Sequence, residues 1–141
     1  MHDLVDIALG PVADPPTDPD DPGVGFWEAT RERRLVVQTC GDCGHRQHYP
    51  RPLCLRCGAT SASLAFVEAA GTGTVVSHTR VSRAPFAGVE PPYVVAIVEL
   101  AEGVRMLTRV VGADAIGCDD PVVVAWAPLP DGRHLPVFRP A

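Results

Sequence analysis

Cys40-Gly41-Asp42-Cys43-Gly44 and Cys54-Leu55-Arg56-Cys57-Gly58, with ten residues between Cys43 and Cys54, decide the fold of the first half of this 141-residue chain. Each is a Cys-x-x-Cys followed by Gly. Two-residue spacing lets both thiolates of one tight turn point at a single ion, and the glycine permits the left-handed backbone that follows such a turn. Four thiolates close a tetrahedral shell and leave no position for water or substrate. Two doublets so close together favour a metal over a redox Cys-x-x-Cys pair, and argue against a secreted disulfide framework. The expected ion is Zn²⁺, held by Cys40, Cys43, Cys54 and Cys57. Iron stays open, because rubredoxin-type sites use similar knuckles. His45 and His48 lie inside the module, but four cysteines already complete the shell.

Upstream, Phe26-Trp27-Glu28-Ala29-Thr30-Arg31-Glu32-Arg33-Arg34 reads as a short helix, acids early and arginines late as the helix dipole favours. Leu35–Gln38 reads as a strand entering the cysteine module. Residues 1–25 hold six Asp and five Pro and no Arg, a composition that predicts a flexible segment, with Leu4, Val5, Ile7 and Leu9 as a short apolar patch.

Downstream of Gly71 the period changes to that of strands. Five are expected: Thr74–Ser82, Tyr93–Leu100, Val104–Val111, Val122–Ala127 and His134–Arg139. Ala101-Glu102-Gly103 and Asp131-Gly132 supply hairpin turns. Five short strands without a long helix fit a small closed barrel of the OB type. The fold class is therefore all-β: an N-terminal helix and rubredoxin-like zinc ribbon over residues 26–70, then a five-stranded OB-fold barrel over 71–141.

Charge narrows the function. The chain has no Lys; its first 25 residues carry −6 and the remainder +1, which give the net charge of −5. Ribbons and OB-folds both serve nucleic-acid binding, but that balance and the scarcity of strand aromatics argue against it. A rubredoxin-like electron carrier is a second alternative, which metal analysis separates. The chain has no eighteen-residue apolar run and no basic-then-apolar start, as expected of a soluble cytoplasmic protein without membrane association.

No catalytic motif is present: no Gly-x-Ser-x-Gly, no His-Glu-x-x-His, no phosphate-cradling Gly-x-x-x-x-Gly-Lys and no Schiff-base Lys. Cys118, the one cysteine outside the two doublets, is followed by Asp119 and Asp120 and reads as a plain structural cysteine. His78 and Arg80, with Arg83 and Phe86 from the Pro-stiffened loop that follows, are the candidates for contact with an anionic ligand. That loop in OB-folds often borders the binding face.

Phe26-Trp27-Glu28-Ala29 ahead of Leu35-Val36-Val37-Gln38-x-Cys40, Tyr49-Pro50-Arg51-Pro52 between the doublets, Gly71-Thr72-Gly73-Thr74-Val75, Pro92-Tyr93-Val94-Val95-Ala96 and Leu135-Pro136-Val137-Phe138-Arg139-Pro140 form a set. Together they resemble the DUF35 family of acyl-CoA-associated proteins, which join a rubredoxin-like zinc ribbon to an OB-fold. One departure is Gly117-Cys118-Asp119-Asp120 before Pro121-Val122, where the family more often runs from Gly straight into its fourth strand. The resemblance implies an accessory subunit, inactive alone, that supports a thiolase-like (lipid-transfer-type) retro-aldolase acting on acyl-CoA thioesters, including steroid side chains. Other members of the family partner with hydratases or acyltransferases. On this reading acyl-CoA lies near His78, Arg80, Arg83 and Phe86, while Phe26, Trp27, Arg31 and Arg34 supply the partner contact.

Overall fold

The structure is a computed structural model that describes residues 3–7, 14–85, 87–113 and 115–141. The chain opens into a helix α1 (Val24–Ala29), shorter than the sequence suggests. Thr30 Oγ1 donates back to the Trp27 carbonyl at 2.6 Å, competing with the helical ladder. A 3₁₀ turn (Thr30–Glu32) follows, and Arg33, at φ 55°, ends it in the left-handed region.

Three strands build the ribbon: β1 (Val36–Cys40), β2 (Arg46–Gln47) and β3 (Leu64–Glu68), in the antiparallel order β2-β1-β3. β3 is not legible in the sequence as a separate element. It pairs along the whole of β1, from Val36↔Glu68 to Cys40↔Leu64, yet most of its side chains face solvent.

The barrel follows: β4 (Thr72–Val81), β5 (Tyr93–Leu100), β6 (Arg105–Val110), β7 (Pro121–Pro128) and β8 (His134–Pro140). It closes in the order β4-β5-β6-β8-β7, with β7 returning to β4. All ladders are antiparallel except the short β6–β8 contact at Val110↔Phe138, the topology expected of a five-stranded OB barrel. Both predicted hairpin glycines take positive φ, Gly103 at 87° and Gly132 at 90°. β4 carries a bulge between Val75 and Ser77. The departing loop locks onto that bulge: Asp119 N donates to Val75 O, Val75 N donates to Asp120 O, and the Asp120 carboxylate accepts from Gly117 N at 2.7 Å.

The core does not stop at the ribbon–barrel boundary. Phe26, Leu35, Val36, Val37 and Ala69 belong to one buried cluster with Val75, Val98, Leu100, Val124, Trp126 and Phe138 of the barrel. Thr30 is fully buried and ties the helix end to β8: its Oγ1 accepts from His134 N, and its carbonyl lies 2.7 Å from His134 Nδ1.

The acidic N-terminal stretch makes specific contacts among its described residues. Asp3 O accepts from Trp126 N, and Val5 N donates to Trp126 O, so Leu4 forms a parallel bridge on β7. Arg133, fully buried, donates to the carbonyls of Pro15 at 2.8 Å and Pro16 at 2.7 Å while pairing with Asp131. Leu9 lies outside the described residues. Among those residues no helix is long and apolar enough to cross a membrane.

Candidate metal centre and surrounding surfaces

Four cysteine sulfurs converge at one end of the ribbon. Cys40 Sγ lies 3.7 Å from Cys57 Sγ and Cys43 Sγ 3.7 Å from Cys54 Sγ, and all four are within 4.8 Å of one another. A tetrahedral ion with metal–sulfur bonds of about 2.3 Å requires sulfur–sulfur edges of about 3.8 Å, so the donor set fits the group the spacing implies.

The two knuckles are built alike. In the first, Cys40 N donates to His45 O at 2.8 Å and Gly44 N to Cys40 O at 2.9 Å. In the second, Cys54 N donates to Ala59 O and Gly58 N to Cys54 O, both at 2.9 Å. Gly44 and Gly58 take φ of 77° and 75°, the left-handed turn exit that the glycines were expected to provide. Backbone N–H groups of Cys57, and then of Arg56, donate to Cys54 Sγ and bring its thiol down to about 7. The Ala59 N–H acts likewise on Cys57, but burial and then the neighbouring sulfurs outweigh it and push that thiol up, so the four sulfurs do not ionise alike in the absence of an ion.

Behind the second knuckle sits a buried amide pair that the sequence reading missed. Gln38 and Gln47 are cross-strand partners on β1 and β2, each 5% exposed. The only signal available was a glutamine at an inward position of an otherwise apolar strand. Sequence reading also missed Arg133, which its place after a hairpin turn makes look like a surface residue.

The aromatic face beside the ribbon is largely internal. Phe26 is 2% exposed and packs edge-on to Trp27 at 5.1 Å, which removes it from the expected contact surface. The reason is that α1 plugs the shared core. Trp27 is half-buried, and its Nε1 donates to Tyr49 Oη at 2.9 Å. Arg31 bonds Glu28 and the Asp131 carbonyl, and Arg34 pairs with Glu68 at 2.7 Å; both remain exposed. His48 sits against Phe26 and Tyr49; burial first, and the Arg51 charge second, push its pKa down to about 4.

The candidate ligand residues do not converge. His78 borders a shallow hollow of about 210 Å³ with Ser77, Ile97 and Leu107. Arg80 instead lines a groove of about 240 Å³ with Ile7, Tyr93, Val94 and Arg109, where the Arg109 guanidinium lies over the Tyr93 ring at 4.7 Å. Arg83 is exposed on the following loop, and Phe86 lies outside the described residues.

Comparison with known proteins agrees with this architecture. Residues 27–62 match the family described as the ChsH2 rubredoxin-like zinc ribbon domain, and residues 66–127 the ChsH2 C-terminal OB-fold domain. Among solved structures, a chain of an Ltp2-ChsH2(DUF35) aldolase is 42% identical with a TM-score of 0.78, the match covering 89% of this chain and 98% of that one. A DUF35-family protein from Sulfolobus solfataricus, 15% identical with a TM-score of 0.63, shares the fold over 89% of this chain and 87% of its own. Two curated relatives are a probable enoyl-CoA hydratase alpha subunit of Thermomonospora curvata and a 3-oxo-4,17-pregnadiene-20-carboxyl-CoA hydratase alpha subunit of Mycobacterium tuberculosis. The first is 47% identical over 82% of this chain, the second 38% over 75%. The chain spans about a third of the length of these curated relatives, 37% and 34% respectively. The joined ribbon and barrel, together with these matches, place the chain in the ChsH2 family of DUF35 proteins.

Proposed function

We propose that this chain is a non-catalytic accessory subunit that holds one zinc ion through Cys40, Cys43, Cys54 and Cys57 and supports a thiolase-like aldolase acting on acyl-CoA thioesters. The observation that carries this reading is the match, at 42% identity, to nearly the whole of a chain in an Ltp2-ChsH2(DUF35) aldolase. Retro-aldol cleavage of a β-hydroxyacyl thioester needs a base to take the hydroxyl proton and a group to stabilise the thioester enolate. The sequence offers no matching motif, so those groups are assigned to the partner. When bound, the ion cross-links the two knuckles; with four thiolates around it, it has no open position for substrate.

This chain's own residues present the contact surface. Trp27, together with the exposed Arg31 and Arg34, is the proposed partner contact, since aromatic and arginine side chains are the usual interface anchors. His78, Arg80 and Arg83 do not form one pocket, so on this reading they meet separate parts of an extended acyl-CoA, and the steroid thioester in one relative's name supports a steroid acyl group as the substrate class. A second reading, with a hydratase partner, rests on the names of both curated relatives.

Co-expression with a thiolase-like aldolase subunit from the same genome tests both. A stable hetero-oligomer is expected, with cleavage of β-hydroxyacyl-CoA only when both chains are present, and Trp27→Ala should weaken association by about 2 kcal/mol. Turnover at full rate by either chain alone rejects the accessory role. Hydration of an enoyl-CoA by a complex that does not cleave the carbon–carbon bond selects the hydratase reading.

A further inference from the structure

Among the described residues, the stretch 51–55, which carries Cys54, belongs to no strand ladder. Its regular pairing is limited to the single bridge Leu53↔Thr60, whereas the first knuckle grows out of the β1–β2 and β1–β3 ladders. An irregular segment of this kind must still satisfy its backbone polar groups. Two side chains do so. Gln38 Nε2 donates to Arg51 O at 2.9 Å, and Gln38 Oε1 accepts from Arg51 N at 2.8 Å. Gln47 Nε2 donates to Leu53 O at 3.0 Å, and Gln47 Oε1 accepts from Leu55 N at 3.0 Å. The two amides are joined by Gln47 Nε2 donating to Gln38 Oε1 at 2.7 Å.

The served residues are Arg51, Leu53 and Leu55, alternate positions, as along the edge of a strand. The amides thus take the place of a missing β-ladder. They bracket Cys54 from both sides, holding the carbonyl before it and the N–H after it. Each glutamine amide uses its oxygen and nitrogen in fixed roles, so the pair has one satisfied arrangement and is buried in it.

We infer that Gln38 and Gln47 are positioning residues for the metal centre: their side-chain amides stand in for a β-strand and hold the second knuckle in its ligating conformation. The inference rests on the proposed four-cysteine site, and it assigns these glutamines the task of keeping Cys54 and Cys57 from opening away from the ion. The first knuckle, already held by main-chain ladders, needs no such device.

The test uses the full zinc-loaded chain. Zinc transfer to the chromogenic chelator 4-(2-pyridylazo)resorcinol is timed in native buffer, beside the global unfolding rate of the same protein. Gln47→Leu removes all three bonds. Gln47→Glu keeps the acceptor for Leu55 N but loses the donors to Leu53 O and Gln38, and serves if the first variant does not fold. Gln38→Glu keeps the acceptor for Arg51 N and Gln47 Nε2 and loses only the donor to Arg51 O. Val124→Ala, in the barrel core, is a destabilised comparator remote from the knuckle.

Zinc release from the Gln47 variants is expected to rise tenfold or more beyond any rise in unfolding rate. In Val124→Ala it should rise only as far as unfolding does. Release from the Gln47 and Gln38 variants that merely tracks unfolding overturns the inference while leaving the metal site intact. A wild-type chain that binds no more zinc than Cys54→Ser overturns the metal site itself, and the inference with it.

Discussion

His48 shows how a single side chain couples the ribbon to pH. Its imidazole is packed among Phe26, Tyr49 and the Arg51 charge, and its pKa falls from 6.5 to about 4. A histidine lowered on folding is neutral in the native state, while the unfolded chain still takes up its proton near pH 6.5. The unfolded state therefore binds more protons between those two values, and stability drops as pH falls through that window. The shift corresponds to about 3 kcal/mol, spent between pH 6.5 and pH 4 and constant below it. Denaturant unfolding at pH 7 and pH 4.5 should show this loss in the wild type and much less of it in His48→Phe. Acid release of the metal is common to both proteins, so the difference between the two profiles isolates the histidine. Parallel profiles would mean that His48 titrates normally. At this scale the cysteines were legible, because their spacing is itself the chemistry. Gln38, Gln47 and Arg133 were not, because their importance depends on which distant backbone groups the fold brings to them.

Among elements, the barrel strands could be read to within two residues, since alternation and glycine turns mark them directly. β3 escaped because Leu64-Ala65-Phe66-Val67 carries apolar residues on both faces and leaves Phe66 and Val67 exposed, so it shows no alternating pattern. The helix stopped early for a local reason, the Thr30 hydroxyl and the left-handed Arg33, that no periodicity reports. Residues 1–25 pose the sharpest contrast: their composition points to a mobile segment, whereas residues 14–17 run past a buried guanidinium that bonds the Pro15 and Pro16 carbonyls. Such a charge is stable in the interior only while its partners stay in place. Arg133→Met is expected to cost about 2 kcal/mol and to make residues 14–22 cleavable by protease much faster than in the wild type. Limited proteolysis followed by mass measurement of the fragments checks this, and equal cleavage of both proteins would show that the clasp does not hold the segment.

At the scale of the whole molecule, the two modules named by sequence share one interior. Phe26, Leu35, Val36 and Val37 are buried against barrel residues rather than within the ribbon alone, and Thr30 bonds across to His134. A barrel deprived of the ribbon would expose that apolar surface, which is the main stabilising term for a domain of this size. Two independent modules would let the barrel outlast loss of the metal; the shared core argues otherwise. A structural metal bound by the native state only adds its binding free energy to folding, so removing it should lower stability by about 5 kcal/mol or more. For a chain of this length that corresponds to roughly 15 °C in melting temperature. Calorimetry of the zinc-loaded and chelator-treated protein should give a single transition in each case, displaced downward as a whole. Near-ultraviolet signals from Trp27 beside the ribbon and Trp126 in the barrel core, separated with Trp27→Phe, should melt together. Two resolved transitions, with Trp126 surviving at its original temperature after chelation, would mean that the ribbon unfolds alone and that the continuous core couples the modules too weakly to matter.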